Sequence, residues 1–533
     1  MLSKINKNIL VAFLLLCATG VTAQVLTSAQ IDQLAERTLK AFDVPGMAVG
    51  VIKDGKLIHA KGYGVRSLNT QQKVDENTLF GIASNSKAFT SAALGMLVDE
   101  GKIHWDDQVI DYIPEFRLYD PYVTNAFTIR DLLTHRSGLV LGAGDLMIFS
   151  DSSNFSVNDI IHNLRYLKPV SGFRTKFDYD NLLYIVAGEV VARVSGMSWQ
   201  QFIETRIMAP LQMTQSAATF LRLKDVSNVI DAHAPVNGKV QVIKRDFSPT
   251  ADAAGGIYSN LTDLSKWLIM QMNNGKYGDN LEKTLFSESV HDQMWIPQTI
   301  IPLNERMRGK TSLIYNTHFN SYGLGWFLSD VKGYKQVQHS GGLAGIVTLI
   351  TLIPELKLGI IVLTNQQSGA AFNAVTNSIK DGYLGIKGND WVKIQLEASQ
   401  QAQKEAEQIK SEVDKLVASG QKPGSPLMPD QFLGTYTDKW FGDVVISEKD
   451  SKLWLTSVRS PRLKGELLDY KGSTFIVKWN DRSFDADAFV RFSTDADGKA
   501  TGMKMEAISP LTDFSYDFQD LDFTRKPGAN VAR

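Results

Sequence analysis

Cysteine is almost absent from this chain, because Cys17 is the only one in 533 residues. It ends an apolar run that begins at Ile9 and precedes a small-residue cleavage site at Ala23, so we predict a signal peptide of residues 1–23 and a secreted or periplasmic protein. The run is too short for a comfortable transmembrane helix, and no membrane anchor is expected. A mature chain without cysteine would exclude disulfides and thiol catalysis, so that its fold depends on its core.

An excess of charge of one sign is also missing, since 56 Lys and Arg residues stand against 57 Asp and Glu residues. Such a balance gives no indication of nucleic-acid binding. The eight histidines show no metal-ligand spacing, so neither a metal nor another cofactor is predicted. We therefore expect a small-molecule or peptide substrate, and the sequence leaves the oligomeric state open.

A Ser-x-x-Lys pair, Ser84 and Lys87, is the most informative pattern that is present. Residues three apart on a helix lie on the same face, and a lysine that loses its proton in a dry pocket can activate a serine hydroxyl. The unpaired N–H groups of a first helical turn can also stabilise an oxyanion, so we predict that the Ser84 N–H does so. Taken alone, however, the pattern favours an ordinary helix N-cap serine, since short motifs often match by chance.

Two further matches to the pattern make its context decisive. Ser329 and Lys332 fall at a hairpin-like turn, and Ser419 and Lys422 follow a charged helical run. Only Ser84 precedes apolar residues at helical spacing, which predict a buried helix ending near Gly101.

A Tyr-x-Asn pair, Tyr179 and Asn181, supplies companion groups. A tyrosine near Lys87 could pass protons between the serine and the leaving group, and an asparagine amide could bind a substrate carbonyl. The second copy, Tyr258-Ser-Asn260, precedes a capped helix start and is interpreted as structural.

A third segment, Gln338-His-Ser-Gly-Gly-Leu343, precedes the apolar run 346–353, which predicts a buried strand. We expect His339 and Ser340 to line the edge of this region as substrate-binding residues. Gly341 leaves room for a substrate beside the strand, and the Gly342 N–H can complete an oxyanion hole with that of Ser84. A glycine-rich turn with a partly exposed histidine is the simpler alternative.

In order and spacing, these motifs resemble the class C β-lactamase-related serine hydrolases, which include penicillin-binding DD-peptidases, D-aminopeptidases and some esterases. The resemblance covers roughly residues 27–385. It implies Ser84 as the acylated nucleophile, Lys87 and Tyr179 as base and proton shuttle, Asn181 as a substrate contact and His339 in the third-motif position. The division of the base role between Lys87 and Tyr179 stays open at this point.

One departure concerns the third motif, where β-lactamases usually carry Lys-Thr-Gly and this chain has His339-Ser-Gly. A histidine is mostly neutral at pH 7 and offers no permanent charge to the carboxylate of a penicillin. We therefore expect hydrolysis of peptides or D-amino-acid amides. A carboxylesterase using the same residues, a weak β-lactamase and a non-catalytic penicillin-binding module remain alternatives. His135, in a Thr-His-Arg-Ser-Gly turn, is interpreted as a structural residue at a helix end.

The pattern of elements predicts an α+β fold, with an antiparallel sheet flanked by helices and a helical lobe, followed by a small all-β domain. The predicted domains are residues 24–388 for the hydrolase, 389–427 for a helical linker and 428–533 for a barrel or meander that resembles a lipocalin-like accessory domain. The apolar stripe of the linker helix fits a bridge between domains, a pairing surface for another copy or a simple surface helix.

Overall fold

Two structural units follow each other along the chain. The computed structural model describes residues 25–149, 152–246, 248–303, 310–418 and 429–527. The first unit combines a large antiparallel sheet with helices, and the second is a closed β-barrel. This architecture confirms the predicted fold class.

An eight-stranded sheet forms the centre of the first unit. Its strands are β1 Gly46–Lys53, β2 Lys56–Gly64, β3 Thr299–Ile301, β4 Asn320–Tyr322, β5 Phe327–Val331, β6 Tyr334–Leu343, β7 Ile346–Ile353 and β8 Leu358–Thr364. They lie in the order β2-β1-β8-β7-β6-β5-β4-β3, and every neighbouring pair is antiparallel. The sequence predicts a hairpin over residues 47–52 and 57–63 and strands at 346–353 and 358–363, which correspond to β1, β2, β7 and β8, whereas it does not indicate β3 to β5.

Helices cover the sheet and form a lobe beside it. Those of twelve residues or more are α1 Ser28–Ala41, α2 Ser86–Asp99, α3 Leu182–Ser195, α4 Leu261–Met272, α5 Gly369–Leu384 and α6 Trp391–Ala418. Shorter helices span Val109–Tyr112, Pro121–Ala126, Ile129–Leu132, Val157–Asn163, Trp199–Phe202, Asp252–Gly255, Glu288–Trp295 and Lys310–Tyr315, and a π-helix spans Ile203–Met208.

Both faces of the sheet are buried. On β1, Met47, Val49 and Val51 belong to one apolar cluster with residues of α1 and α5, whereas Ala48 and Ile52 belong to a second cluster with residues of α2. Alternate residues of a strand point to opposite faces, so a strand covered on both sides has a nearly continuous apolar sequence. This explains why the central strands were recognisable.

The second unit is a closed barrel of eight antiparallel strands. They are β9 Gly434–Asp438, β10 Gly442–Lys449, β11 Lys452–Ser457, β12 Lys464–Lys471, β13 Thr474–Trp479, β14 Ala488–Thr494, β15 Ala500–Ala507 and β16 Phe523–Arg525. Pairing of β9 with β16, in which Tyr436 lies opposite Arg525, closes the barrel. Short strand-like runs at 444–446, 453–455, 474–479, 488–492 and 502–507 predict β10, β11, β13, β14 and β15, whereas β9, β12 and β16 were missed.

The long helix α6 bridges the two units. At its beginning, Trp391 stacks on Tyr315 with a ring separation of 5.7 Å. Towards its end, Val413 packs against Ile476 and Ile508 of the barrel unit. Of the three interpretations open at the sequence level, the bridge is the one that these contacts support.

Some sequence predictions fall on residues that the structure does not describe. They include the signal peptide of residues 1–23 and the Ser419–Lys422 pattern, so secretion stays a prediction. Within the described ranges, no single helix combines the length and apolar composition needed to cross a membrane, although the pair Leu182–Ser195 and Trp199–Met208, bent by 72°, meets both criteria jointly.

Candidate active site

Ser84 lies in a sharp turn at the start of α2. A 3₁₀ turn, Ala83–Asn85, precedes the helix, and Ala83 adopts φ of 50°, a left-handed conformation that is rare for a residue with a side chain. The turn is fixed from two sides: Asn85 donates to the Thr348 hydroxyl on β7 over 2.9 Å, and the Ile257 N–H donates to Ser86 over 3.1 Å. These contacts hold the Ser84 side chain at a partly exposed position.

Lys87 lies directly behind this serine and is completely buried. Its Nζ donates to Ser84 Oγ over 3.2 Å, to Asn181 Oδ1 over 2.7 Å and to the Ala254 carbonyl over 2.9 Å. The three acceptors come from the 3₁₀ turn before α2, the loop before α3 and the short helix Asp252–Gly255. The predicted Ser84–Lys87 contact is therefore present, although the α-helix itself begins only at Ser86.

Burial changes the proton affinity of this lysine. Desolvation lowers the pKa of Lys87 to about 7, against the opposing effect of the Asp145 and Asp180 carboxyl groups. A substantial fraction of the lysine is then neutral at neutral pH, as an acceptor of the serine proton requires.

Tyr179 lies on the other side of the lysine. Its ring centroid is 4.8 Å from Lys87 Nζ, and burial raises the pKa of Tyr179 well above its ordinary value, against an interaction with the Ser84 hydroxyl. The phenol is therefore protonated in the resting site. This makes Tyr179 a proton donor and leaves Lys87 as the better resting base.

Asn181 connects the lysine to a buried carboxyl group. Besides accepting from Lys87, it donates from Nδ2 to Asp145 Oδ2 over 2.8 Å. Its carbonyl and one N–H are thus used inside the protein, and only the second N–H is available for the predicted substrate contact.

His339 lies on the buried face of β6, within 6.1 Å of the Tyr179 ring. Its Nδ1 donates to the Ser340 carbonyl over 2.6 Å, and its Nε2 accepts from the Tyr322 hydroxyl over 2.9 Å. Burial, together with the charge of Lys87, lowers the pKa of His339 to about 3, so the ring is neutral at physiological pH. The alternative of a partly exposed histidine in a turn is wrong.

A model of the β-lactamase family matches residues 31–381. The chain belongs to the β-lactamase family. A model of a second family, a domain of unknown function designated DUF3471, matches residues 419–525. Relatives include the unguisins hydrolase ungD of Aspergillus violaceofuscus, 27% identical over 449 residues that cover 79% of this chain and 77% of that protein. Protein flp of Staphylococcus aureus is 28% identical over 347 residues, 64% of this chain and 63% of that protein.

Two solved structures share the fold of both units. The octameric penicillin-binding protein homologue from Pyrococcus abyssi superposes with a TM-score of 0.59 at 20% identity, covering 94% of this chain and 100% of that chain. SurE superposes with a TM-score of 0.54 at 18% identity, covering 94% and 99%. The family resemblance and the fold predicted from the sequence are confirmed.

In this β-lactamase family member, successive residues of the third motif lie on alternate faces of β6. His339 and Gly341 lie on the buried face, whereas Ser340 and Gly342 are exposed. A Cβ at Gly341 would come within 2.3 Å of the Ile82 carbonyl, so this glycine is needed for close packing of β6 on the turn that carries Ser84. The sequence analysis had assigned its missing side chain to substrate access, which is a different role.

His135 and Asp145 are site residues that the sequence analysis did not identify. His135 is fully buried with its ring 4.2 Å from that of Tyr179, and its Nδ1 accepts the Asp180 N–H over 3.0 Å. It therefore fixes the Tyr-x-Asn loop, a structural role as predicted, but its partner is the Asp180 N–H and not a group of the preceding helix. Both residues lie in loops, where no periodicity indicates which side chains turn inwards.

The rival motifs have structural roles. Asn260 caps α4 by accepting the Asp263 N–H over 2.9 Å, as predicted. Ser329 lies within β5, and Lys332 lies in the turn to β6. Among the described residues, no group of three or more His, Cys, Asp or Glu side chains is arranged to hold a metal ion.

Proposed function

We propose that this protein is a serine hydrolase that cleaves peptides or D-amino-acid amides through an acyl-enzyme on Ser84. The observation that carries the proposal is the Lys87 amine, which is completely buried and lies 3.2 Å from the Ser84 hydroxyl. Its pKa is lowered to about 7. The name of one relative, the unguisins hydrolase, agrees with a hydrolytic reaction.

The first half-reaction uses the groups around Ser84. Neutral Lys87 takes the Ser84 proton as Oγ attacks the substrate carbonyl carbon, and the N–H groups of Ser84 and Gly342 stabilise the oxyanion. The C–N bond then breaks, and the leaving nitrogen receives a proton from the Tyr179 hydroxyl, which is replenished from Lys87. Water subsequently cleaves the acyl ester and restores the Ser84 hydroxyl.

The substrate class follows from the neutral His339. An imidazole with a pKa of about 3 carries no charge at pH 7 and cannot form an ion pair with the carboxylate of a penicillin. Amides, and peptides whose leaving group carries no free carboxylate, do not require that ion pair. Esters would also react with the same groups, because an alkoxide leaves more readily than an amine.

A substrate panel tests the proposal. We expect turnover of D-alanyl-p-nitroanilide and of D-Ala-D-Ala peptides with an amidated C-terminus, with kcat/KM for nitrocefin lower by about 100-fold because its carboxylate lacks a charged partner. Release of p-nitroaniline, peptide fragments and opened lactam are measured side by side. Efficient nitrocefin hydrolysis would contradict the proposal, and cleavage of p-nitrophenyl esters without any amide cleavage would identify a carboxylesterase.

Tyr179→Phe tests the donor role. Removing the hydroxyl keeps the ring against Lys87 but deprives the leaving nitrogen of its proton, so kcat for amides should fall by about 100-fold or more. The loss should be smaller for p-nitrophenyl esters, whose leaving group needs no proton. An equal loss for both substrates would argue against the donor role, and melting temperatures of both proteins control for misfolding.

A further inference from the structure

One loop of the C-terminal barrel reaches the candidate active site. We call residues 508–517, between β15 and the turn Phe518–Asp520, the barrel loop, and residues 139–149 the lobe loop. The Asp517 carboxylate accepts the N–H groups of Gly144 over 2.6 Å and of Leu146 over 3.0 Å. Asp517 therefore holds the backbone on either side of Asp145.

A hydrogen-bonded chain leads from this loop to the catalytic lysine. The Ser515 hydroxyl donates over 2.8 Å to Asp145 Oδ2, the same oxygen that accepts from Asn181. The other end of the Asn181 amide accepts from Lys87 over 2.7 Å. Ser515 and Asp145 are almost fully buried, at 1% and 0% exposure, so water does not compete for these bonds.

Phe514 lies next to Tyr179, the proposed proton donor. Its ring is 5.9 Å from the Tyr179 ring in an edge-on arrangement, and it stays 39% exposed. Gly142 of the lobe loop packs on it so closely that a Cβ there would lie 2.7 Å from the Phe514 carbonyl, and the Gly142 N–H donates to the Tyr179 carbonyl over 2.8 Å. A partly exposed aromatic ring beside a proton donor is placed to contact a bound substrate.

The barrel is also held on the first unit by contacts away from the site, so its docking does not depend on the barrel loop alone. Away from the site, the Asn163 amide donates to the Trp440 carbonyl over 2.8 Å, and Arg459 pairs with Asp159 over 3.0 Å. Phe155 also packs against Phe441 with ring centroids 6.2 Å apart. The barrel loop therefore adds buried polar contacts directed at the catalytic groups to an interface that already exists.

We propose that the barrel loop is a working part of the hydrolase site, in which Phe514 limits the space for the leaving group and Ser515 positions Asn181 and Lys87 through Asp145. This inference rests on the proposed function and assigns a role to the DUF3471 unit. The leaving-group side is chosen because Tyr179, which Phe514 contacts, must reach the leaving nitrogen.

Phe514→Ala tests whether the Phe514 ring limits the space for the leaving group. We expect the ratio of kcat/KM for D-alanyl-β-naphthylamide to that for D-alanine amide to rise about tenfold, since a pocket of changed size discriminates by this order. Leu511→Ala is the matched control, because Leu511 lies in the same loop, is 47% exposed and lines a different cleft. The same kcat/KM ratio is measured in parallel for ester substrates, with the β-naphthyl and ethyl esters of D-alanine. An unchanged or reduced ratio would overturn the role of Phe514.

Ser515→Ala tests the positioning chain. We expect kcat to fall about tenfold with KM unchanged, because the lysine loses orientation while the substrate surface stays intact. In an Asn181→Ala background the same substitution should change kcat less than twofold, since the chain is already broken. Ser509→Ala is the control, because its hydroxyl accepts only the Leu511 N–H within the barrel loop over 3.2 Å.

The two hypotheses fail in different ways. If the wild-type protein neither reacts with a fluorophosphonate at Ser84 nor cleaves any substrate, the proposed function is wrong. If the wild type is active but Ser515→Ala behaves like Ser509→Ala, or its loss is undiminished in the Asn181→Ala background, the positioning chain is wrong. Melting temperatures within a few degrees of the wild type are required of all variants.

Discussion

Ser84→Ala is expected to abolish covalent labelling by a fluorophosphonate and to lower kcat/KM by roughly 10⁴-fold or more. The reason is that acyl transfer needs the Oγ atom, which in the described part of the chain is the hydroxyl oxygen hydrogen-bonded to Lys87 Nζ. Only binding and oxyanion stabilisation would remain. Intact-mass spectrometry after labelling, followed by peptide mapping of residues 80–91, measures the effect directly.

Ser329→Ala provides a control with the same sequence pattern. Ser329 also precedes a lysine by three residues, but it lies within β5, where its hydroxyl accepts from Gln336 over 3.2 Å. We expect this variant to retain full labelling and activity. Labelling that persists in Ser84→Ala, or that disappears in Ser329→Ala, would show that the wrong serine was chosen.

Ser84, Lys87 and His339 were predictable because each lies in or beside a regular element, whereas Tyr179 and Asn181, in the loop before α3, were recognised only by their motif. Ser84 and Lys87 were recognised because the apolar spacing after them indicated a buried helix, and His339 because an apolar strand followed. For the helix the signal was an apolar period of 3.6 residues, and for the central strands β7 and β8 it was a nearly continuous apolar run.

What escaped prediction depends on contacts between distant segments. Asp145 meets Ser515 across 370 positions of sequence, and no local pattern indicates that a loop of the barrel returns to the hydrolase unit. The sequence of the barrel shows no catalytic motif. Its loop acquires significance only through Asp145 and Tyr179.

The missed strands have a different explanation. β3 to β5 lie towards one edge of the sheet, and β3 exposes Ile300 at 75%. β3 and β4 have only three residues each, too few for an alternating pattern to stand out. The strand β16 of the barrel is equally short. Pairing with neighbours, which the sequence does not display, makes such segments into strands.

Lys87→Met is expected to lower kcat/KM by roughly 10³-fold, because a general base contributes between about 10² and 10⁴. In the wild type, the lysine is active in its neutral form, and its pKa is about 7. The rate should therefore rise about tenfold per pH unit below pH 7 and level off above it. The variant should lose this rise, and a rise that persists in Lys87→Met would assign it to another group.

Stability provides an independent measure of the same pKa, because Asp180 also has a pKa of about 7 and could produce a similar rise in rate. Between pH 7 and about 10, Lys87 is mostly neutral in the folded protein but protonated in the unfolded chain. The free energy of unfolding of the wild type should therefore increase with pH in this range relative to that of Lys87→Met, by up to about 1.4 kcal/mol per pH unit. Asp180 is present in both proteins, so only a change in its raised pKa would appear in the difference, and it would do so between about pH 4 and 7, below the range of Lys87. Lys380, also buried with a pKa of about 7, is present in both proteins and cancels in the difference. Urea unfolding between pH 5 and 9 therefore distinguishes the two groups. A flat difference above pH 7 would mean that Lys87 is not the titrating base.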